Sequence, residues 1–261
     1  MPPLYASARP ERRSIDVEGR TVHYQVAGTG SPLILVHGLS GSARWWSRNL
    51  AALASHFQVF AVDLPGFGDN RGRGRFVLAA AAAHLVAWMD GLEIARASFV
   101  GHSMGGYIVG DLAATHPGRL DRLVLVDATL VPYDRRFWQP AWGGVGLLRR
   151  LPVRFLPTLV ADAMRAGPTT LRHAGLQLLA ADLRSHLNRI EAPALVIWGA
   201  NDTLVPLIHG RRLVEALPDA RLVVIPGAGH NPMWDQPDAF NQEVIAFLTT
   251  AASGSEEVET T

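Results

Sequence analysis

Six residues, Gly101-His102-Ser103-Met104-Gly105-Gly106, constrain the fold more than any other part of the chain. They stand where a short apolar run, Ala97 to Val100, gives way to a helix-forming stretch that ends at His116-Pro117-Gly118. A Gly-x-Ser-x-Gly sequence at a strand-to-helix handover marks a turn so tight that the serine backbone is strained and its hydroxyl projects outward. The residues two before and two after Ser103 must be small because their backbones nearly collide, and Gly101 and Gly105 fill those places. The new helix aims its first amides at whatever reacts with the hydroxyl. A serine hydroxyl is a poor nucleophile until a base takes its proton, so a histidine and a carboxylate are expected elsewhere.

The rest of the chain alternates strand and helix patterns. Thr21 to Val26 alternates polar and apolar residues, as a half-exposed strand does. Pro32 to Val36 and Val59 to Val62 are continuous apolar runs, the mark of strands buried on both faces of a parallel sheet. Leu123 to Val126, Ala194 to Trp198 and Leu222 to Ile225 read as three further strands. Helices are predicted at Trp45–Ser55, Ala79–Gly91, Ser103–Thr115, Ile208–Leu217 and Ala239–Thr250. This pattern implies an α/β fold with a doubly wound, mostly parallel sheet whose ligands meet the carboxyl ends of the strands. After Asp63-Leu-Pro-Gly-Phe-Gly68, Asp69-Asn70 lead into a loop with arginines at 71, 73 and 75, basic and glycine-rich and expected to be mobile.

One stretch breaks the rhythm. Residues 130–190 contain no convincing strand, five prolines, and nine arginines against Asp134, Asp162 and Asp182. An insertion of this size at the ligand-facing edge of a sheet is expected to form a helical cap. The core is then 1–129 and 191–252, and 253–261 reads as a disordered tail. Either the cap arginines are a solvated outer face and Phe137, Trp138, Trp142 and Phe155 pack down as core, or together they offer a surface for an anionic or amphipathic ligand or a membrane surface. Trp138 and Trp142, with His37 and Gly38, are the expected substrate-lining residues.

Composition removes several chemistries. The chain has no cysteine, and all 24 of its basic residues are arginine, so thiolate nucleophiles, thiolate metal sites, Schiff bases, P-loops and Ser-Lys pairs are excluded. The histidines other than His37 and His230 have no defensible metal-ligand spacing, so neither metal nor cofactor is expected. A net charge of +1 gives no sign of a nucleic-acid partner. No signal peptide or membrane-spanning run is apparent, so a cytoplasmic protein without an integral membrane segment is expected. Oligomeric state leaves no mark on the sequence.

The partners of Ser103 emerge from strand ends. Gly199-Ala-Asn-Asp202 leaves the carboxyl end of the strand at Ala194, and Gly227-Ala-Gly-His230 leaves that of the strand at Leu222. With His37-Gly38 after an early strand, this ordered set resembles the α/β-hydrolase-fold serine hydrolases over about Thr21 to Thr249. The resemblance implies Ser103 as nucleophile, His230 as base and Asp202 as the orienting acid, with Asp127 as the substitute if the acid comes from the preceding strand. It also implies an oxyanion hole from the backbone amides of Leu39 and Met104, with His37 supporting the first loop and His102 packed beneath the elbow. The expected activity is hydrolysis of a small or medium apolar carboxylic ester, thioester or lactone. Relatives that cleave carbon–carbon bonds in aromatic degradation share the Ser-Met-Gly-Gly elbow, although Asn231 stands where they often carry tryptophan. An intact-triad ligand sensor that recruits a partner through the cap is the alternative from another class.

Overall fold

In Leu33-Ile34-Leu35-Val36 every side chain is fully buried. Successive residues of a strand point to opposite faces, so such a run is stable only inside a sheet covered on both sides. Leu33 and Leu35 pack in one core layer, and Ile34 and Val36 in the other.

The computed structural model describes residues 10–72, 76–130 and 155–250. Eight strands form one sheet: β1 Glu11–Val17, β2 Arg20–Ala27, β3 Pro32–Val36, β4 Gln58–Val62, β5 Ala97–His102, β6 Leu120–Val126, β7 Ala194–Gly199 and β8 Ala220–Ile225. Their order is β1-β2-β4-β3-β5-β6-β7-β8. The β1-β2 and β2-β4 pairs are antiparallel and all others parallel. The helices are α1 Leu50–Ala54, α2 Ala81–Gly91, α3 Met104–Thr115, α4 Leu156–Ala180, α5 Ile208–Ala216, α6 Pro232–Asp235 and α7 Pro237–Thr249. Residues of α2, α3 and α5 join one core layer; those of α1, α6 and α7 join the other.

The register sets the functional edge. Val36 pairs with Gly101, His102 with Val126, Val126 with Ile197, and Gly199 with Ile225. The loops carrying His37, Ser103, Asp127, Asp202 and His230 therefore leave the sheet side by side. The chain reverses direction across the sheet between β3 and β5, the switch point at which ligand crevices form.

One local expectation changes, at Trp45–Ser55, and two further features come from the structure alone. Glu11–Val17, too polar to read as a strand, pairs along its whole length with β2 through a turn at Glu18-Gly19, both at positive φ. The stretch Trp45–Ser55 is not one helix: a 3-10 turn spans Ala43–Trp46 and α1 has only five residues. Tertiary contacts override helix propensity there, since Trp46 is fully buried and Asn49 donates to the Met233 carbonyl and Asn241 Oδ1. The segment at Asp69-Asn70 is anchored: Asn70 is buried, donates to the Asp63 carbonyl and accepts the His23 amide, while 73–75 lie outside the described residues.

Of the insertion at 130–190, residues 131–154 lie outside the described part, as does 253–261. The remainder is helical, formed by α4 and a 3-10 turn at Leu187–Arg189. Gly167 (φ 76°, ψ 158°), followed by Pro168, breaks α4 into two segments. Gln177, in the second segment, accepts the Leu78 amide and fixes that half over the loop before α2.

The elbow gives the first prediction. A Cβ at Gly105 would strike the carbonyl oxygen of Val36, whereas one at Gly118 would meet nothing within 4 Å. Gly105→Ala should lower stability by about 1–3 kcal/mol or prevent folding, as overpacking against backbone does. Gly118→Ala should be near neutral. Urea unfolding of both variants beside the wild type checks the contrast.

Candidate active site

Ser103 has φ 53° and ψ −113°, a conformation that non-glycine residues rarely adopt. The surroundings impose it. A Cβ at Gly101 would lie 2.5 Å from the Gly105 carbonyl oxygen, so β5 and α3 approach as closely as backbones allow. The Ser103 amide donates to the Val126 carbonyl at 2.9 Å, and its own carbonyl accepts from Thr129 and Tyr107. Pinned on both sides, the serine presents Oγ at the end of the sheet.

His230 Nε2 lies 3.2 Å from Ser103 Oγ, and His230 Nδ1 lies 2.8 Å from Asp202 Oδ2. All three residues are buried. The loops that carry Asp202 and His230 are tied to each other. The Ala200 amide donates to the Ile225 carbonyl and the Asn201 amide to the Ala228 carbonyl. Asp202 Oδ1 accepts the amides of Leu204 and Val205 at 2.7 and 2.9 Å, which leaves Oδ2 for the imidazole. Burial alone would raise the Asp202 carboxyl, but the adjacent imidazole and the Val205 amide hold it below the usual carboxylate range.

Asp127 takes a different part. Its Oδ1 accepts the Gly199 amide at 3.0 Å, and no bond joins it to His230. Full burial, and secondarily the neighbouring Asp202 charge, push its carboxyl well above the ordinary value. The neighbouring carboxyls are thus shifted in opposite directions, Asp127 up and Asp202 down. Among the described residues, Asp127, Asp202 and His230 are the group whose ligating atoms converge, within 4.8 Å of one another, and the hydrogen bonds above account for that convergence.

The two other histidines are committed to the backbone. His37 Nε2 accepts the Leu64 amide at 3.1 Å, so its proton sits on Nδ1, which donates to the Gly38 carbonyl at 2.8 Å. Burial lowers its pKa, so it stays neutral and braces the loop rather than acting as a base. His102 Nε2 donates to the His230 carbonyl at 2.7 Å. Burial, and then the His230 charge, bring the His102 pKa down to about 3. Gly38 stands against Ser103: a Cβ on it would lie 3.1 Å from Ser103 Cβ. The next peptide, whose N–H belongs to Leu39, therefore passes beside Ser103. Met104 supplies the first amide of α3. Trp138 and Trp142 lie outside the described residues.

Ser42, Arg44 and Asp162 carry no motif and escape the sequence reading, yet they join into a buried cluster at this edge. Their separation by about 120 positions leaves no local pattern to find. Phe155 is likewise central, fully buried between Trp45 and Trp234 at centroid distances of 5.1 and 4.6 Å.

The comparisons agree with the fold. The model of the alpha/beta hydrolase family matches residues 33–243. The chain is 32% identical to pimeloyl-[acyl-carrier protein] methyl ester esterase of Pectobacterium carotovorum subsp. carotovorum (strain PC1), over 87% of this chain and 98% of the relative. It is 31% identical to 2-hydroxy-6-oxo-6-phenylhexa-2,4-dienoate hydrolase of Burkholderia cepacia, over 87% and 91%. The crystal structure of the enol-lactonase from Burkholderia xenovorans LB400 superposes with a TM-score of 0.78 at 29% identity, covering 91% of this chain and all of that one.

The His102 environment yields a pH prediction. An unfolded histidine titrates near pH 6.5, and the folded one only near 3. Between those values the unfolded chain binds the extra proton, so His102 makes stability fall as pH drops below about 6.5. The limiting slope is about 1.4 kcal/mol per pH unit for one group. His102→Phe should lose stability at pH 7.5 but show a shallower decline between pH 6.5 and 4.5. Urea titrations of both proteins at four pH values check the difference.

Proposed function

The chain belongs to the alpha/beta hydrolase family, and from that premise we propose that it hydrolyses a carboxylic ester, thioester or lactone through an acyl-enzyme on Ser103. The observation that carries the reading is the continuous relay from Ser103 Oγ through His230 to Asp202, with each link at hydrogen-bond distance. His230 Nε2 takes the Ser103 proton as Oγ bonds to the substrate carbonyl carbon. The carbonyl oxygen becomes an oxyanion, received by the amides of Leu39 and Met104. Collapse of this intermediate expels the alcohol, thiol or ring oxygen, which takes the proton from His230. Water then attacks the acyl group, giving its proton to His230; the acid leaves and the proton returns to Ser103. The Asp202 carboxylate stabilises the imidazolium in both halves and fixes its tautomer. Asp202 Oδ2 meets His230 Nδ1, whereas Asp127 is engaged with the Gly199 amide and its carboxyl is pushed upward, which favours Asp202 as the orienting acid.

The substrate expected is a small or medium apolar acyl compound, received beneath the cap formed by 130–190. The ester-cleaving relative and the lactonase neighbour support acyl transfer at such a site. The dienoate hydrolase among the relatives supports a second reading, carbon–carbon bond hydrolysis by the same relay. Asn231, which immediately follows the base, weighs against it.

p-Nitrophenyl esters from acetate to palmitate test the proposal. Wild type should turn over with a chain-length optimum, and Ser103→Ala should lose both turnover and labelling by a fluorophosphonate while remaining folded. Labelling that survives in Ser103→Ala would overturn the nucleophile assignment. Labelling of the wild type without turnover would favour the dienoate class or a ligand sensor. Asp202→Asn should lower kcat by roughly 10⁴, the effect of losing the correct tautomer. Near-normal activity would transfer the acid role to Asp127.

A further inference from the structure

A carboxylate without any solvent exposure costs several kcal/mol unless it is fully partnered. Asp162, in the first segment of α4, is such a group. Its Oδ2 accepts the Ser42 hydroxyl at 2.7 Å. Its Oδ1 accepts Arg44 Nη2 at 2.9 Å and lies 3.5 Å from Arg165 Nη1. Ser42 Oγ also accepts the Arg44 amide and caps the 3-10 turn that follows. Ala43, between these two partners, gives its amide to Asp63 Oδ1 at 2.7 Å. Residues 42–44 are thus clamped between a carboxylate from the sheet and one from the cap.

The clamped residues end the loop that begins at His37. Within that loop the Gly41 amide donates to the Gly38 carbonyl at 3.0 Å, and Ser40 adopts φ 64°. His37 fixes the near end through Leu64 and Gly38. The far end depends on Asp63 and Asp162. Leu39 lies between the two ends, and the second segment of α4 approaches it at Gly175. Because the break at Gly167-Pro168 divides α4, the contacts of Gly175 and Gln177 do not fix the position of the first segment, whereas Asp162 does.

We infer that Asp162 is a positioning residue that holds the oxyanion loop from the cap side, through Ser42 and Arg44, and so sets the place of the Leu39 amide. The inference rests on the acyl-enzyme reading above. It makes the cap part of the transition-state machinery rather than only a cover, because α4 and the loop after β3 share one buried carboxylate.

The test uses the full chain and three variants: Ser42→Ala, Asp162→Asn and the double variant. The first readout is the second-order rate of Ser103 labelling by a fluorophosphonate, whose phosphoryl oxygen enters the same oxyanion site and which requires no knowledge of the substrate. The second is kcat and KM on the best p-nitrophenyl ester, per labelled site. Removing an oxyanion donor outright costs about 10²–10³ in rate. Displacing one should lower the labelling rate and kcat about ten- to a hundredfold, with KM changed less than threefold. The double variant should be no slower than the slower single one, because both act through one contact. Ser42→Ala leaves the Asp162–Arg44 pair in place, so it remains informative if Asp162→Asn fails to fold. Folded variants that lose thermal stability yet label and turn over at the wild-type rate would overturn the inference. A wild type that fluorophosphonate does not label would instead overturn the acyl-enzyme reading, and this inference with it.

Discussion

The backbone contact between β5 and α3 is the constraint on which the rest of the structure depends. Gly101 meets the Gly105 carbonyl, and Gly105 in turn abuts the Val36 carbonyl at the end of β3. Three chain segments therefore converge with no side chain between them, and the serine at their junction is held at φ 53°. Because β3, β5 and β6 pair in register up to this point, the strained residue falls at the edge where the loops after β7 and β8 also emerge. The strain persists because the surroundings over-determine it: the Ser103 amide is bonded to Val126 at the end of β6, and its carbonyl accepts from Thr129 just beyond that strand and from Tyr107 in α3.

Charge at this edge is distributed by burial. His37, His102, His230, Asp127 and Asp202 gather there, and burial works against the charged form of several of them. His37 and His102 are kept neutral by desolvation, and each is engaged with backbone groups. Burial likewise pushes the Asp127 carboxyl upward. Asp202 alone of the two carboxylates receives a pair of amides and the imidazole together.

The legible parts of this fold are those whose physics is local. Buried strands announce themselves as apolar runs, and Leu33 to Val36 or Ala194 to Trp198 could be read directly because both faces of the sheet are covered. The elbow glycines were legible because a close approach of backbones admits no other residue. Glu11–Val17 was not, since an edge strand with polar faces is defined by its partner β2 rather than by its own composition. The helix expected over Trp45–Ser55 failed for a related reason: Trp46 and Asn49 answer to contacts with α6 and α7, nearly two hundred residues away. At the site, Ser103, Asp202 and His230 follow strand ends and could be placed by counting. Asp162 could not, because an aspartate in an amphipathic helix looks the same whether it faces water or a buried serine.

That last ambiguity bears on how a cap of this kind can change without disabling the centre below it. Ser103, Asp202 and His230 are brought together by the ends of β5, β7 and β8. Ser42, Arg44 and Asp162 are different, because a buried carboxylate cannot lose one partner without leaving uncompensated charge. A substitution at any of the three is thus costly unless the others change with it, which ties one point of the insertion to the loop after β3. Substrate range can then be altered elsewhere in the insertion while the distance between α4 and Leu39 is preserved. The same argument separates two kinds of arginine in this basic insertion. Arg165 faces the buried Asp162, whereas Arg184 pairs with the exposed Asp182, where solvent screens the interaction and little stability is gained.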